Sequence, residues 1–368
     1  MNILHLSAVK NWGGGGNHIE NLCYELSRSN PEVSNMIVVA KNGQFHERLR
    51  KGDIPYATVP MAMNLDPRAI LKFIRLCRKH QIDLVHLHGS TSLTLAVVAT
   101  KLASLPPFIF SKKTIFPIKD RKQTLYKYNH PQIKKILCVS EGARVVAEKA
   151  IEDKSKLRTI YHGTRVGNKS TETPWFLRKK FNIPENYKIV GNIGNHIKAK
   201  DLETWIASID LLVNKMDYKD LNFVQIGTFS KITKILQQML KDYNLEKKVF
   251  FTGYLPNASN FLPQFDILSM SSQSEGLPQV IYEAAWHMVP VVSTDVGGIP
   301  EFISHNENGL LSPKNDAEKL AENIAVLLAN PDLGKTFAAR SYEKLQPQFT
   351  AEFMARETLQ EYRKVLNK

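Results

Sequence analysis

Residues 274–283 read SEGLPQVIYE, with Glu275 and Glu283 separated by seven residues and Gly276-Leu277-Pro278 directly after the first carboxylate. A protein core wants neither carboxylate. A solvated helix face does not want the apolar run through Val280, Ile281 and Tyr282 that surrounds the second. The preceding FDILSM has the pattern of a short buried strand, so the segment reads as strand, polar loop, then helix. Pro278 suits the first helical position, where a missing N–H costs nothing. The amides of Gly276, Leu277 and Gln279 then point out of a helix start, which is a ready site for phosphate. Two carboxylates beside a phosphate repel it unless each bonds hydroxyl groups instead. A nucleotide sugar carries hydroxyls at both ends, a hexose for Glu275 and a ribose for Glu283.

Other stretches hold residue types that fit the same chemistry. WGGGGNHIENL (residues 12–22) follows an apolar run and opens a helical pattern, and its glycines let backbone approach a ligand closely. It matches neither the dinucleotide fingerprint nor the Walker pattern, so alone it is a weak phosphate signal and equally a surface turn. GNIGNHIKAKDLETWI places Lys200, with Lys198 and His196 nearby, just after a strand pattern. DLVHLHGS puts His86 and His88 on one face of a strand. No Asp-x-Asp pair occurs, so donor binding is expected to need no divalent metal and no cofactor.

The elements that must position these residues follow an alternating pattern. NILHLS, NMIVVA, DLVHLH, FIFS and KILCVS read as strands in the first half, with helical stretches such as DPRAILKFIRLCRKHQ between them. A polar stretch, YHGTRVGNKSTETPW, reads as a linker. The pattern restarts with YKIVGNIG, NFVQIG, KVFFTG, FDILSM and VPVVST, separated by helices near 200–216, 230–243 and 278–288. The expected fold is α/β, with two consecutive Rossmann-like domains of parallel sheet facing a cleft. At 368 residues the chain fits two such domains. Its 43% hydrophobic and 23% charged residues are those of a soluble globular protein. The three cysteines, Cys23, Cys77 and Cys138, lack metal-site spacing, and MNILHLSAV is too short an apolar run for a leader, so a cytoplasmic protein is expected.

SEGLPQVIYEAAWHMVPVVSTDVGGIPEFI, with NGLLSP further on, resembles glycosyltransferase family 4, the retaining transferases of GT-B fold in the glycosyl transferases group 1. The signature is the spaced glutamate pair, a strand and a Gly-Gly-x-x-Glu turn. The resemblance implies an N-terminal acceptor domain over 1–168, a nucleotide-sugar donor domain over 169–348 and a C-terminal helix, 349–368, packed back on the first domain. It places Glu275 on the donor sugar, Glu283 on the ribose, and the backbone of Gly276, Leu277 and Pro278 near sugar and diphosphate. Gly14, Gly15 and Gly16 fall in a loop that closes over the diphosphate and borders the acceptor. The family often has a glutamate where Gly16 stands, so that loop is expected to be more mobile. The family's arginine and lysine directed at the diphosphate correspond to Asn195 and Lys200, so half of the cationic clamp is missing and Lys198 or His196 are the substitutes at hand. His88 matches a histidine near the reacting sugar, whereas His86 reads as a satisfied core residue and His162 stands where asparagine is common. Gly227 with the backbone at Phe251 and Thr252 would hold the base, with uracil and guanine both open. The implied activity is transfer of a hexosyl group from a UDP- or GDP-sugar, with retention, to a glycan or lipid-linked glycan acceptor in cell-surface polysaccharide or lipopolysaccharide synthesis. Glu275, Lys200 and His88 are the candidate catalytic residues, and the leaving phosphate itself is the expected proton acceptor.

The net charge of +14 is unevenly placed. Residues 1–170 hold 27 of the 49 Lys and Arg but only 12 of the 35 Asp and Glu, so the first half carries the whole excess. Within it, residues 111–135 mix basic side chains with Phe and Tyr. Nucleic acid, an anionic membrane and a merely solvated loop all fit that composition. Because many acceptors in the family are lipid-linked, Lys112, Lys113, Arg121 and Lys122 are expected to dock on the inner face of the cytoplasmic membrane, with no nucleic-acid partner. A sugar-nucleotide 2-epimerase of related fold and a non-catalytic transferase-like subunit are the alternative readings.

Overall fold

The computed structural model describes residues 1–8, 12–61, 65–165 and 175–368. The chain divides into two compact units, Met1–Arg165 with Gln348–Lys368, and Val166–Pro347. Most of the expected linker, and the expected boundary between 168 and 169, lie outside the described residues.

The first unit runs β1 (Asn2–Ser7), α1 (Gly14–Ser29), β2 (Ser34–Ala40), α2 (Gln44–Leu49), β3 (Tyr56–Val59), α3 (Pro67–Lys79), β4 (Leu84–His88), α4 (Ser90–Ala99), β5 (Phe108–Lys112), α5 (Lys122–Tyr128), β6 (Ile133–Cys138), α6 (Glu141–Glu148) and β7 (Leu157–Thr159). Its sheet has the order β3-β2-β1-β4-β5-β6-β7, with every pairing parallel. The short β3 and β7 have sequences too polar and too brief to announce themselves. Parallel strands are buried on both faces, and alternation divides their side chains between two cores. Leu4, Leu6, Val85, Leu87, Phe108 and Phe110 pack against Phe73 and Leu93. Ile3, Leu84, Ile109 and Leu137 pack on the other face against Leu22 and Leu26 of α1. Asp66 caps α3 by accepting from the Arg68 amide, with Pro67 at the first position.

The second unit runs α7 (Phe176–Phe181), β8 (Lys188–Ile193), α8 (Leu202–Asp210) with a π-helical continuation over Leu211–Lys215, β9 (Leu221–Ile226), α9 (Thr233–Asp242), β10 (Val249–Phe251), β11 (Ile267–Ser269), α10 (Gln279–Trp286), β12 (Val291–Thr294), α11 (Ile299–Phe302), β13 (Leu310–Ser312), α12 (Ala317–Ala329) and α13 (Pro331–Gln348). Its parallel sheet has the order β10-β9-β8-β11-β12-β13, and Trp205, Phe223, Leu236, Ile324 and Phe337 fill its core. The final helix, α14 (Ala351–Leu366), returns to the first unit, where Met354, Leu359 and Tyr362 join the α1 face.

Each sheet is a Rossmann-like α/β layer whose strand order reverses beside its first strand, between β1 and β4 and between β8 and β11. Ligands of open parallel sheets bind outside the carboxyl ends of the strands at such reversals.

Candidate functional site

In the second unit, Lys200 ends a short 3-10 turn, Lys198–Lys200, beyond β8. Asp201 follows with φ 46° and caps α8 through the Thr204 amide, which turns the chain sharply at the strand end. Lys200 Nζ donates to Glu275 Oε1 at 2.5 Å, and Ser272 Oγ donates to the same oxygen at 2.7 Å. Both side chains are largely enclosed, 20% and 12% exposed, so the pair lies in a partly desolvated place where charge counts for more than in water. The loops after β8 and β11 thus meet at the reversal of the sheet.

Gly227 explains how the loop after β9 joins them. A Cβ there would lie 1.9 Å from the Gly194 carbonyl oxygen, so only glycine permits this backbone contact. Asn195 Oδ1 accepts from the Thr228 amide at 3.0 Å. Asn195 is therefore a strut between two loops, which explains an amide where the resemblance expects an arginine. His196 does not substitute for the missing cation. It is buried, shares hydrogen bonds with Thr233 Oγ1 (2.9 Å) and Gln225 Oε1 (2.7 Å), and burial lowers its pKa. Phe251 is half-buried with its ring 5.0 Å from that imidazole, and the Thr252 amide donates to the Gln225 carbonyl. Phe229, 47% exposed beside Gly253, is an aromatic face that sequence reading passed over.

The helix start after Glu275 differs from expectation. Pro278, with φ −77° and ψ 124°, is the residue before the helix, and α10 begins at Gln279. The residue preceding a proline avoids helical backbone, so Leu277 and Gly276 belong to the loop and their amides are not helical ones. Leu277 is buried and anchors that loop. Glu283 is half-buried on α10, one turn beyond Gln279.

In the first unit, Gly14, Gly15 and Gly16 form the opening turn of α1 and not a loop. Trp12 packs where a Gly16 Cβ would stand, 2.9 Å from its ring, so position 16 cannot carry the glutamate common in the family without moving that ring. The start of α1 has no side-chain cap and no acidic residue in its first turn.

Beneath it lies a layer of imidazoles. His5 shares hydrogen bonds with His88 (Nδ1 to Nε2, 3.1 Å) and Asn35 (3.2 Å). His86 reaches Tyr362 Oη (2.5 Å) and Ser111 Oγ (2.7 Å), the satisfied core histidine that was expected. His18 and His162 share a bond at 2.9 Å, which requires one to donate and the other to accept. Burial, and the neighbouring cationic groups, push all five below the usual imidazole range, His5 to about 4 and His162 to about 3. His5, His86 and His88 bring ring nitrogens within 4.8 Å of one another and could hold a metal ion. Their nitrogens are already engaged with each other, Asn35, Tyr362 and Ser111, apart from His88 Nδ1, which a neutral hydrogen-bonded cluster explains as well.

The basic residues assigned to a membrane split into two pairs. Lys112 is buried, and its ammonium donates to the carbonyl oxygens of Thr114 and Phe116. Lys113 is half-buried and donates to the Gly15 carbonyl at 3.2 Å, with burial drawing its pKa down to about 7. Both ammonium groups are spent inside the first unit, Lys112 at the end of β5 on the chain that follows it and Lys113, one residue further, on the start of α1. Arg121 and Lys122 are exposed at the start of α5, near the exposed Phe116 and Tyr126 in sequence. Among the described residues no helix is long and apolar enough to cross a membrane.

Comparison with known proteins gives these features a family. The sequence model described as glycosyl transferases group 1 matches residues 174–344, and that of glycosyltransferase family 4 matches residues 12–166. The chain belongs to the family 4, group 1 glycosyltransferases. It is 24% identical to an N-acetyl-alpha-D-glucosaminyl L-malate synthase of Bacillus anthracis over 76% of this chain and 74% of that one. It is 30% identical to a poly(ribitol-phosphate) alpha-N-acetylglucosaminyltransferase of Staphylococcus aureus, over 47% of this chain and 36% of that one. The HepE protein of Anabaena, solved in complex with UDP and glucose, superposes with a TM-score of 0.86 at 18% identity, covering 99% of this transferase and all of that chain. The two Rossmann-like domains are those of the GT-B fold.

Proposed function

We propose that this glycosyltransferase moves a hexosyl group, with retention of configuration, from a UDP- or GDP-sugar to a glycan or lipid-linked glycan acceptor of the cell surface. The observation that carries the reading is the Lys200–Glu275 contact, a cation and a carboxylate brought from two strand ends to the point where the second sheet reverses. The relatives' names speak for sugar transfer to small and polymeric hydroxyl acceptors, and the Anabaena structure for a uridine nucleotide.

In the resting pair Glu275 neutralises Lys200. When the donor enters, its diphosphate takes the ammonium, and Glu275, released from that bond, accepts from sugar hydroxyls. Lys200 then stabilises the negative charge that grows on the leaving diphosphate as the glycosidic bond breaks. Glu283 holds the ribose. Asn195 keeps the Lys200 loop in register with the loop after β9, so the missing arginine costs charge but not position. The leaving phosphate takes the acceptor's proton. Metal independence rests on the lack of an Asp-x-Asp pair in the sequence. Arg121 and Lys122, exposed and close in sequence to the exposed Phe116 and Tyr126, suit the cytoplasmic face of an anionic membrane.

A donor screen in EDTA tests the reading by following release of UDP or GDP from a panel of sugar nucleotides. One donor should be hydrolysed slowly, with Lys200→Ala reducing turnover roughly 100-fold, the usual scale for removing one preorganised charge partner. Glu283→Ala should weaken donor binding. Silence on every donor, together with no donor binding by calorimetry, would leave the non-catalytic reading.

A further inference from the structure

In the first unit, α3 carries charge of one sign only. Its 13 residues include Arg68, Lys72, Arg75, Arg78 and Lys79 and no acid. Spacings of four, three and four residues set Arg68, Lys72, Arg75 and Lys79 along one stripe of the helix. The opposite side packs into the core through Ile70, Phe73, Ile74 and Cys77. All five cations are exposed, and Leu71 stands among them, 59% exposed. Arg68 pairs with the capping Asp66, but no carboxylate of the described residues meets the other four. Like charges three and four residues apart repel, so the stripe weakens the helix that bears it.

The other helices of the unit sharpen the contrast. α1 and α14 pack on the opposite face of the sheet, and their charges are interleaved: Arg28 meets Glu25, Arg363 meets Glu32 and Lys364 meets Glu361. On the α3 side, the uncharged α4 packs between α3 and α5, and α5 adds Lys122 and Lys127, again without an acid. Phe73, Leu93 and Tyr128 of these three helices share one core, so α3 and α5 lie on the same face of the sheet. The exposed Phe116 and Tyr126 accompany α5 as Leu71 accompanies α3.

We infer that the outer surface of α3, continued by α5, docks on an anionic bilayer, with the basic stripe on the headgroups and Leu71 entering the interface. The apolar side of α3 is already in the core, so the helix meets lipid by its basic side and the contact is mainly electrostatic. A soluble polyanion would answer the cations but not the exposed leucine and aromatic rings among them, which favours lipid. The inference goes beyond the Arg121–Lys122 pair, and moves most of the docking charge to a helix that neither the sugar donor nor its loops touch. α3 begins beyond β3 and α5 beyond β5, so docking holds the carboxyl edge of the first sheet close to the bilayer. That edge suits a lipid-linked acceptor, a consequence that rests on the transferase reading while the docking itself does not.

The test is co-sedimentation of the full chain with vesicles of phosphatidylglycerol and phosphatidylcholine, beside vesicles of phosphatidylcholine alone. Binding should require the anionic lipid at about 0.15 M salt and fade at about 1 M, where screening is short-ranged. Combining Lys72→Gln, Arg75→Gln and Lys79→Gln should weaken binding roughly 100-fold, about fivefold for each charge removed. Leu71→Ala should weaken it roughly 3- to 10-fold, because a leucine matters only where it meets apolar lipid. The triple variant relieves repulsion within α3, so its urea midpoint should not fall, and lost binding is then not lost folding. Inorganic polyphosphate is titrated in a parallel arm. Binding to polyphosphate without binding to vesicles would overturn the inference in favour of a soluble polyanion. Vesicle binding untouched by the triple variant, or equal on neutral vesicles, would overturn it as well. Release of UDP or GDP from sugar nucleotides, measured without vesicles, should be unchanged by the triple variant and reports on the transferase reading separately.

Discussion

Both units place a lysine just beyond the carboxyl end of a strand, Lys200 after β8 and Lys113 after β5, yet the two lysines live in opposite surroundings. Lys200 is paired with Glu275, and Ser272 supports the carboxylate. Lys113 faces imidazoles and a backbone carbonyl, with no carboxylate partner among the described residues. A compensated charge is cheap to keep and can be exchanged for a ligand's charge. An uncompensated one is held at a cost, which here shows as a pKa drawn down to about 7. The second unit thus stores its electrostatics in an ion pair, and the first in a nitrogen-rich layer that burial keeps short of protons.

Acid should break the comparison most strongly. His5 and His162 fall from an unfolded value near 6.5 to about 4 and about 3 in the fold. Folding therefore depletes bound protons between those limits. The stability these groups allow is intact above the unfolded value and is lost as pH falls towards the folded one, by roughly tenfold in the unfolding constant per pH unit for each imidazole. Pulse proteolysis at about pH 5 and about pH 7.5, with fragments assigned by mass spectrometry, should show the first unit cut well before the second in acid. Equal acid sensitivity of the two units would mean that the histidine layer is not the cause.

A smaller effect sharpens the contrast by its sign. Lys113→Met removes a half-buried charge that no acid among the described residues balances and should raise stability by about 1 kcal/mol at neutral pH, after discounting for exposure. For the native protein this lysine makes stability rise with pH from about 7 towards its unfolded value, since only the unfolded chain keeps the proton there. Lys200→Met strands Glu275 and should cost about 1–3 kcal/mol. Urea denaturation of both variants, compared at fixed slope, reads the two signs, and a loss in each would erase the distinction.

The smallest effect concerns charge that remains outside. Arg121→Glu with Lys122→Glu should reduce co-sedimentation with phosphatidylserine vesicles, each removed positive charge being worth about 1 kcal/mol at an anionic surface. Lys112→Gln should leave vesicle binding unchanged, because its ammonium is spent on Thr114 and Phe116. Vesicle binding indifferent to the exposed pair would remove the membrane from the proposal.

Much was legible in the chain itself. The alternation of short apolar runs with helical periods announces two parallel α/β layers, because strands buried on both faces must be apolar and their crossovers must be helical. The glutamate pair, Lys200 and the glycines stand out for a related reason: each violates the local pattern of its element, and such violations survive mainly where a ligand is met. Three kinds of information were not local. Strands β3, β7 and β13 have three or four residues each and exist only because a neighbouring strand offers a ladder. The direction of a lysine side chain depends on the contacts its neighbours in space offer, so Lys112 and Lys113 looked like surface charge until the carbonyls of Thr114 and Phe116 took the one and that of Gly15 the other. Asn195 looked like a defect in a cationic clamp until the loop after β9 came to rest against it, through a glycine that allows two backbones to touch. Composition and period are properties of neighbours in sequence and set the class of fold. The pairing of Lys200 with Glu275, and the placing of Lys113 among five histidines, are properties of residues far apart in the chain, and only the folded units decided which charge meets a carboxylate and which meets imidazoles and a backbone carbonyl.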